Sequence, residues 1–394
     1  MSKSSVEAFQ VMKNVAQHPD DYLTQWKNRH QQPVIGIFPM NFPVEIIAAT
    51  GALPVIIQDS REPISEGNTI LAEFYCGFTR SIADQTMKGQ LDIFDAFMNA
   101  DHCIQLLGAV DVVREMLSDK PVYFEHLIAA MDDSWTKDQV QTKIHAFIAE
   151  AERVTGTTIS DEALTRCIES NNKNRQLLRQ VFEARRNGDA QFSPGELQTM
   201  IVSSMIMDKD EHTALLETVL AEASTKPRDN RVRLHLSGHF CHAPRVELFD
   251  LLEECGAVIV DDDLYTGSRY ISTDVKESLA PRAALADWYF ARNENIPCPT
   301  RVQKTVNWDE YLINALENSG AEGVIVLMAK FCEAHMFYYP ELRKALEANN
   351  IPHLLIETEH EGMPEETFRT RVEAMIERIR RKSSSRTTAK ELAQ

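Results

Sequence analysis

The sequence predicts an α/β protein with two related, doubly wound lobes and a helical segment between them. Short apolar runs typical of buried parallel strands alternate with amphipathic stretches near both ends of the chain. The middle of the chain has almost no β-branched runs and is typical of helices. The predicted parts are an N-terminal helical segment, a first lobe, a helical segment, a second lobe and a disordered tail, at residues 1–30, 31–132, 133–228, 229–381 and 382–394.

The first lobe opens with a strand, a turn and a short helix. Residues 33–38 predict the strand, and residues 44–50 predict the helix. Gly51 is expected to end the helix, because glycine adopts the left-handed conformation common at helix ends. Residues 53–57 predict a second strand, so the lobe begins as a strand–helix–strand unit.

The second lobe opens in the same way. It is predicted to have a strand, a helix and a strand at residues 232–236, 246–255 and 257–260. Phe38 and Val44 have the same spacing as Phe240 and Val246, which indicates an internal duplication of Rossmann- or flavodoxin-like units. Convergence on one strand–turn–helix pattern is the alternative. The lobe continues with a strand at residues 323–328, a helix after Pro340, a strand at residues 353–356 and a final helix from about residue 365.

The helical segment carries its own start signals. Helices are predicted at residues 139–154, 161–186 and 194–223. Ser160 precedes the second of them, and the pair Ser193-Pro194 opens the third. A cleft between the two lobes is therefore expected beside a helical layer.

Composition excludes several classes of function. A net charge of −18 over 394 residues argues against an extended nucleic-acid surface. There is no apolar run of about eighteen residues and no secretory signal, so we expect a cytoplasmic protein without a membrane span. The seven cysteines show no pairing rhythm and are expected to be thiols. Neither GxGxxG nor a P-loop pattern occurs, so any ATP hydrolysis belongs to another subunit.

Three cysteines are the main candidates for chemistry. Cys76, Cys103 and Cys332 follow apolar runs that resemble strands or strand ends, where open α/β sheets bind ligands. Three thiolates from distant segments suit an iron–sulfur cubane with one iron left free, and that iron could bind substrate. Three unrelated buried thiols remain the alternative.

The remaining thiols and several polar residues are weaker candidates. Cys241 follows the first strand of the second lobe and is a further candidate ligand. Arg269 is a candidate holder of a phosphate or carboxylate, because a guanidinium fork suits such anions. Cys298 has no assignment, and Cys167 and Cys255 are interpreted as core residues. Three histidines lie close together in the sequence: His235, His239 and His242. A metal site there is disfavoured, because side chains that alternate along a strand end point in different directions.

Together the short motifs resemble the 2-hydroxyacyl-CoA dehydratase / benzoyl-CoA reductase family. The matching stretches are residues 36–54, 74–81, 101–103, 237–269 and 323–332. The chain is most similar to the smaller, C-type substrate-handling subunit of ATP-dependent benzoyl-CoA reductase. The resemblance implies one [4Fe-4S] cluster on the cysteines at positions 76, 103 and 332. Pro39 stands near the place of a further cysteine in relatives with a double cubane, which favours a single cubane.

The resemblance also implies a reaction and partners. ATP-hydrolysing subunits would receive electrons from ferredoxin and deliver them one at a time at very low reduction potential. The cluster in this chain would pass each electron to an acyl-CoA or aryl-CoA thioester. A paralogous subunit of similar size would complete the complex. We expect reduction of an aromatic ring; the alternatives are dehydration of a 2-hydroxyacyl-CoA through a ketyl radical and a non-catalytic structural subunit. Glu333 and His335 are the candidate proton donors, the alternative being a solvent-facing loop.

Overall fold

The computed structural model describes residues 3–188, 192–223, 230–238, 241–360 and 365–391, with side chains to residue 382 in the last helix. It contains two four-stranded parallel sheets. The first has the order β2-β1-β3-β4, with strands β1 (Val34–Ile37), β2 (Leu53–Ile56), β3 (Ala96–Ala100) and β4 (Val122–Glu125). The second has the order β6-β5-β7-β8, with strands β5 (Val232–Gly238), β6 (Ala257–Asp262), β7 (Gly323–Ala329) and β8 (His353–Thr358).

The helices lie before, between and around the sheets. The first six are α1 (Lys3–Gln17), α2 (Pro19–His30), α3 (Glu45–Ala48), α4 (Gly67–Ile70), α5 (Gly77–Met87) and α6 (Ile104–Met116). The middle four are α7 (Thr136–Thr155), α8 (Asp161–Asn187), α9 (Pro194–Ile206) and α10 (Lys209–Leu220). The last six are α11 (Val246–Glu254), α12 (Ser268–Ile271), α13 (Pro281–Asn295), α14 (Trp308–Ser319), α15 (Glu333–Ala348) and α16 (Glu365–Glu391).

The two sheets have the same winding. In each sheet, the first strand of the lobe lies between the second and the third strand. The chain therefore adds strands first on one side of that strand and then on the other, and the direction of winding reverses between the first and third strands. All pairings are parallel, and the crossovers are helical. This confirms the predicted α/β class with two doubly wound lobes and agrees with an internal duplication. Ligand sites are expected at the carboxyl ends of the strands where the winding reverses.

A buried ion pair connects the helical segment to the first lobe. Both terminal nitrogens of Arg175 on α8 donate to Glu45 Oε1 on α3 at 3.0 Å, and both side chains are buried. Arg175 also donates to Asn172 Oδ1 at 2.7 Å, and the Asn172 amide binds the backbone at Val275 in the second lobe. One polar network therefore joins all three parts of the chain, and its hydrogen bonds offset the desolvation of the two charges.

Two helices differ from their predicted extents. The long helix predicted at residues 194–223 is two helices, because Asp208 caps a new one by accepting hydrogen bonds from the N–H groups of Asp210 and Glu211. The helix predicted after Pro340 already begins at Glu333, and Pro340 lies inside it. Proline removes one helical hydrogen bond, but burial of the helix on both sides of it, including Leu342, preserves the helix.

The last helix reaches into the segment predicted as a tail. Helix α16 continues to Glu391, within residues 382–394, and disorder of that segment stays a prediction. No glycine or proline follows Pro364, so the sequence contains no strong stop signal there. Along the described part of the chain, no helix has both the length and the apolar character that crossing a bilayer requires.

Candidate functional site

A cavity of about 480 Å³ lies between the lobes, and four cysteines line it: Cys76, Cys103, Cys241 and Cys332. Cys103, Cys241 and Cys332 follow β3, β5 and β7, three of the four strands that flank the reversals of winding. The carboxyl ends of both sheets therefore supply thiols to one space, as expected for a ligand site in open α/β sheets. The cysteines predicted from the sequence do come together.

The position of Cys76 differs from the prediction. Among the described residues, no strand ends directly before Cys76. The short helix α4 and a loop precede it, and α5 begins at the next residue. The aromatic residues before it, Phe74 and Tyr75, stack on each other in that loop at a ring separation of 5.5 Å, so their apolar character does not mark a strand.

Three of these cysteines occupy equivalent places at helix starts. Cys76, Cys103 and Cys332 are the residues immediately before α5, α6 and α15. Backbone N–H groups of the first helical turn act on each sulfur and favour its thiolate, among them those of Thr79, Gln105 and His335. Free N–H groups and the helix dipole stabilise negative charge at this end of a helix. Each thiol is thus placed where a thiolate ligand is best stabilised.

The cavity nevertheless keeps the free thiols protonated. Burial, together with the neighbouring charge of Cys76, raises the pKa of Cys103 to about 12. Burial also raises the pKa of Cys332 and, strongly, that of Cys241; Cys76 and Cys103 raise both further. Several thiolates cannot coexist here without a cation. Iron would supply that positive charge and deprotonate the thiols as it bound.

Gln105 connects the N-terminal ends of the two helices that follow Cys76 and Cys103. Its Oε1 accepts a hydrogen bond from the backbone N–H of Cys76 at 3.1 Å, and its backbone carbonyl accepts one from Thr79 Oγ1 at 3.2 Å. The Thr79 hydroxyl also lies 3.4 Å from Cys76 Sγ. These contacts fix α5 against α6 and hold the first two thiols in register.

The loop that carries Cys103 is held from the second lobe. Arg301 donates to the backbone carbonyls of Asp101 at 2.8 Å and His102 at 3.3 Å. Asn41, in the turn after β1, donates to the same Asp101 carbonyl at 2.6 Å. Sequence reasoning missed Gln105, Asn41 and Arg301. Their contacts join segments that are distant in the chain, and no local sequence pattern predicts such contacts.

The two candidate proton donors lie in different surroundings. Glu333 is exposed and lines the cysteine cavity. His335 is buried, its ring packs edge-on against Trp308 at 4.8 Å, and it is absent from the cavity wall. Burial lowers the pKa of His335 to about 4, so its imidazole is neutral near pH 7. The geometry supports Glu333 over His335, and a role for either in proton transfer stays a prediction.

Arg269 is placed differently from its predicted role. The side chain is 1% exposed and donates to the backbone carbonyls of Asp263, Ile296 and Pro297 at 2.7–3.1 Å. It therefore fastens the loop at Ile296 to the end of β6. These bonds give Arg269 a structural role, and anion binding by this side chain stays a prediction.

Two of the three histidines considered for a metal, His235 and His242, do not share a site. His235 is buried beside Asp261, with 3.7 Å between Nδ1 and Oδ2, whereas His242 lies at the cavity and near Asp59. His239 lies outside the described residues. Within the described ranges, no three histidine, cysteine or acidic side chains are grouped closely enough for a single metal ion. A cubane is different, since each thiolate binds a separate iron. The cysteine cavity therefore fits a cluster.

A second cavity of about 490 Å³ shares His242 and Ala329 with the first. Its wall combines apolar side chains such as Leu327 and Phe368 with charges of both signs, and one pair among them, Lys330 and Glu359, is already joined. None of the cysteines lines it. The chemistry of the donor set therefore points to the first cavity.

Comparison with known proteins identifies the family. The model of the family described as 2-hydroxyglutaryl-CoA dehydratase, D-component, matches residues 39–379. The chain belongs to this family. It is 25% identical over 381 residues to the (R)-phenyllactyl-CoA dehydratase beta subunit of Clostridium sporogenes, which covers 95% of this chain and 100% of that subunit. The resemblance seen in the sequence is confirmed.

Relatives in the family carry two kinds of name. The lactoyl-CoA dehydratase subunit beta of Anaerotignum propionicum is 26% identical over 383 residues, 95% of this chain and 100% of that subunit. A benzoyl-CoA reductase subunit of Thauera aromatica is 24% identical over 337 residues, 84% of this chain and 86% of that protein. The chain is thus a member of a family that contains both dehydratase and reductase subunits, and membership alone does not distinguish between the two activities.

Proposed function

We propose that this chain is the iron–sulfur subunit of an acyl-CoA radical enzyme, with one [4Fe-4S] cluster on Cys76, Cys103 and Cys332. The observation that carries the proposal is the convergence of three cysteines, each at the residue before a helix, on one cavity between the lobes. The family membership supports it independently. When bound, such a cluster supplies one-electron transfer at low potential.

The residues around the thiols have separate tasks in this proposal. The helix-start N–H groups stabilise thiolate charge, and hydrogen bonds to cluster sulfurs raise a reduction potential. Gln105 holds two of the thiols at a fixed separation. Apolar side chains of Ile104, Leu107 and Phe337 line the cavity and would limit the access of water.

Dehydration of a 2-hydroxyacyl-CoA is the reaction that we propose first. Two dehydratase beta subunits match 95% of this chain and 100% of their own length. Reduction of an aromatic acyl-CoA, which the sequence motifs favoured, is the second candidate, supported by the match to a benzoyl-CoA reductase subunit over 84% of the chain. A non-catalytic structural subunit would need no cluster, and its cysteines would have no reason to converge.

The chain is proposed to act in a hetero-oligomer. The relatives are named as subunits, and no P-loop motif occurs in this sequence. Two exposed apolar side chains line the cysteine cavity, Phe337 at 82% and Ile104 at 63% exposed, and Phe74, two residues before Cys76, is also 63% exposed. A group of exposed apolar side chains is typical of a surface that a partner protein covers. The proposed partners are a paralogous subunit and ATP-hydrolysing subunits that receive electrons from ferredoxin.

The test uses the complex that a tagged full-length chain retains on anaerobic isolation. It is supplied with ATP and a low-potential reductant, together with (R)-phenyllactyl-CoA in one assay and benzoyl-CoA in another. An enoyl-CoA product from the first assay supports dehydration, and a cyclic diene thioester from the second supports ring reduction. A cluster-bearing complex that converts neither substrate, or an isolated chain that turns over either one alone, contradicts the proposal.

A further inference from the structure

We propose that three buried arginines, Arg269, Arg292 and Arg301, supply positive charge to the cluster in the cysteine cavity and thereby raise its reduction potential. The inference rests on the proposed function, because it presupposes a [4Fe-4S] cluster in that cavity. It assigns a role in setting the potential to side chains that are not ligands of the cluster.

The three guanidinium groups come from separate segments and meet at one place. Arg269 lies in α12, Arg292 lies near the end of α13, and Arg301 lies in the loop after α13. All three side chains are buried, and all three line one gap of about 10 Å³. A gap of that size holds about one water molecule, so the arginines are not grouped around a ligand of the size of a substrate.

The arginine group lies against the wall of the cysteine cavity. Arg301 and Thr300 line both the gap and the cysteine cavity. Arg301 donates to the backbone carbonyl of His102, the residue directly before Cys103, at 3.3 Å. The positive charges of all three arginines act on His102, which also lines the cysteine cavity. The charges are therefore close to the space that a cluster would fill.

A hydrogen-bonded chain connects Arg292 to the same loop. Arg292 donates to Asn41 Oδ1 at 2.7 Å, and Asn41 donates to the backbone carbonyl of Asp101 at 2.6 Å. Asp101 lies two residues before Cys103. The position of the Arg292 charge relative to the loop of Cys103 is thus fixed by only two hydrogen bonds.

Arg292 is a buried charge that no carboxylate of the described residues pairs with. Its terminal nitrogens donate to the Met40 carbonyl and to Asn41, and its guanidinium lies 5.0 Å from the centre of the Trp288 ring. Burial, together with the charge of Arg269, lowers the pKa of Arg292 to about 10, so the group stays charged near pH 7. A buried charge without a counter-ion costs free energy, which an anion bound nearby reduces.

The other two arginines have an acidic residue beside them. Arg301 pairs with Asp101 Oδ1 at 3.4 Å. Arg269 donates to the backbone carbonyl of Asp263 at 3.1 Å, and the Asp263 carboxylate accepts a hydrogen bond from Trp308 at 2.6 Å. Three arginines and these two acids leave one positive charge in excess, and Arg292 is the arginine without an acid beside it.

This excess charge favours the reduced form of a cluster. A [4Fe-4S] core on three thiolates is negatively charged, and reduction adds one electron, which the low-potential partner of the proposed function supplies. No bond forms or breaks, and Arg292 keeps its proton. A positive charge in a buried site stabilises the more negative, reduced form more strongly than the oxidised form, so the reduction potential rises.

A redox titration of the anaerobically isolated full-length chain tests the inference, with the electron paramagnetic resonance signal of the reduced cluster as the readout. R292Q removes the charge, and R292K keeps the charge while it loses the guanidinium fork. R282Q is the matched control, because Arg282 lies on the same helix and pairs with Asp161. We expect a lower midpoint potential in R292Q and wild-type midpoint potentials in R292K and R282Q.

N41D tests the same charge without removing the arginine. The substitution places a carboxylate oxygen where the amide oxygen of Asn41 lies 2.7 Å from Arg292, so it neutralises the guanidinium with almost no change of volume. We expect the midpoint potential to fall in N41D as it does in R292Q. N41D therefore carries the test if R292Q loses its iron.

The outcomes separate this inference from the proposed function. Wild-type midpoint potentials in R292Q and N41D, with their iron retained, would overturn the inference and leave the cluster in place. A fall in R292K equal to that in R292Q would overturn it as well, since shape and not charge would then matter. If R292Q and N41D both lose their iron, retention of iron in R292K supports the role of charge and its loss there overturns that role. A wild-type chain that binds no iron under any anaerobic condition overturns the proposed function and the inference with it.

Discussion

The side chain of Gln105 accepts a hydrogen bond at 3.1 Å from the backbone N–H of Cys76, although 29 residues separate the two in sequence. Gln105 is the second residue of α6, so it lies close behind Cys103. One amide group therefore couples the two cysteine-bearing helix starts of the first lobe. The distance between those thiols depends on this bond and on the Thr79 hydroxyl beside it.

Loss of this bond should loosen the cluster before it unfolds the protein. In Q105L the buried N–H of Cys76 lacks its acceptor, which costs about 1–3 kcal/mol. We expect iron to be lost to a chelator several-fold faster than from wild type, measured by the decay of cluster absorbance under anaerobic conditions. The same change at exposed Gln139, Q139L, is the matched control and should leave the decay unchanged. Equal decay of Q105L and wild type would argue against the bracing role.

A second buried network predicts how stability depends on pH. Ser204 donates to Asn174 Oδ1 at 2.7 Å, which leaves the Asn174 amide nitrogen as a donor to His212 Nδ1 at 2.9 Å. His212 Nε2 therefore carries the proton and donates to Ser203 Oγ at 3.1 Å. Burial lowers the pKa of His212 from 6.5 to about 3, helped by the charge of Lys209. The folded protein requires neutral His212.

The consequence is a loss of stability on acidification. Below about pH 6.5 the unfolded chain takes up a proton at His212 that the folded chain refuses until about pH 3. The free energy of unfolding should therefore fall by up to about 1.4 kcal/mol per pH unit across this window. In H212Q we expect lower stability at pH 7 but a shallower fall, measured by urea unfolding. H145Q, at an exposed histidine, should keep the wild-type slope; an unchanged slope in H212Q would refute the assignment.

Glu333 and His335 should give different phenotypes despite their proximity in sequence. We expect E333Q to lower turnover of the assembled complex while iron content and unfolding stay at wild-type values, because Glu333 lines the cavity. H335Q should lower stability, since its ring is buried against Trp308. E341Q on the same helix is the exposed control. Full turnover in E333Q would remove Glu333 from the reaction.

Local sequence patterns were sufficient for the scaffold. The strand predicted at residues 53–57 is β2 at Leu53–Ile56, and Gly51, which was expected to end a helix, has a φ value of +85°. These features depend on neighbours within a few residues, where propensity and periodicity act. The break at Asp208 was missed because an acidic residue inside an apolar helical pattern is ambiguous until its side chain caps the next helix.

The candidate cysteines could be predicted from the sequence, whereas the residues that hold them in place could not. Cysteine chemistry drew attention to positions 76, 103 and 332, whereas Arg301 contacts the loop of Cys103 across about 200 residues of sequence. The bonds from Arg269 to buried backbone carbonyls could not be predicted either, because their partners lie about 27 residues away in the sequence. Long-range hydrogen bonds have no periodic signature in a single sequence.

Iron and sulfide content tests the central claim most directly. The full-length chain is isolated without oxygen as wild type, C332S and C255S; Cys255 lies at the end of α11, away from the cysteine cavity. We predict about four irons and four sulfides per chain in wild type and C255S, and loss of both, with the loss of cluster absorbance, in C332S. An iron and sulfide content in C332S equal to that of wild type would contradict the account.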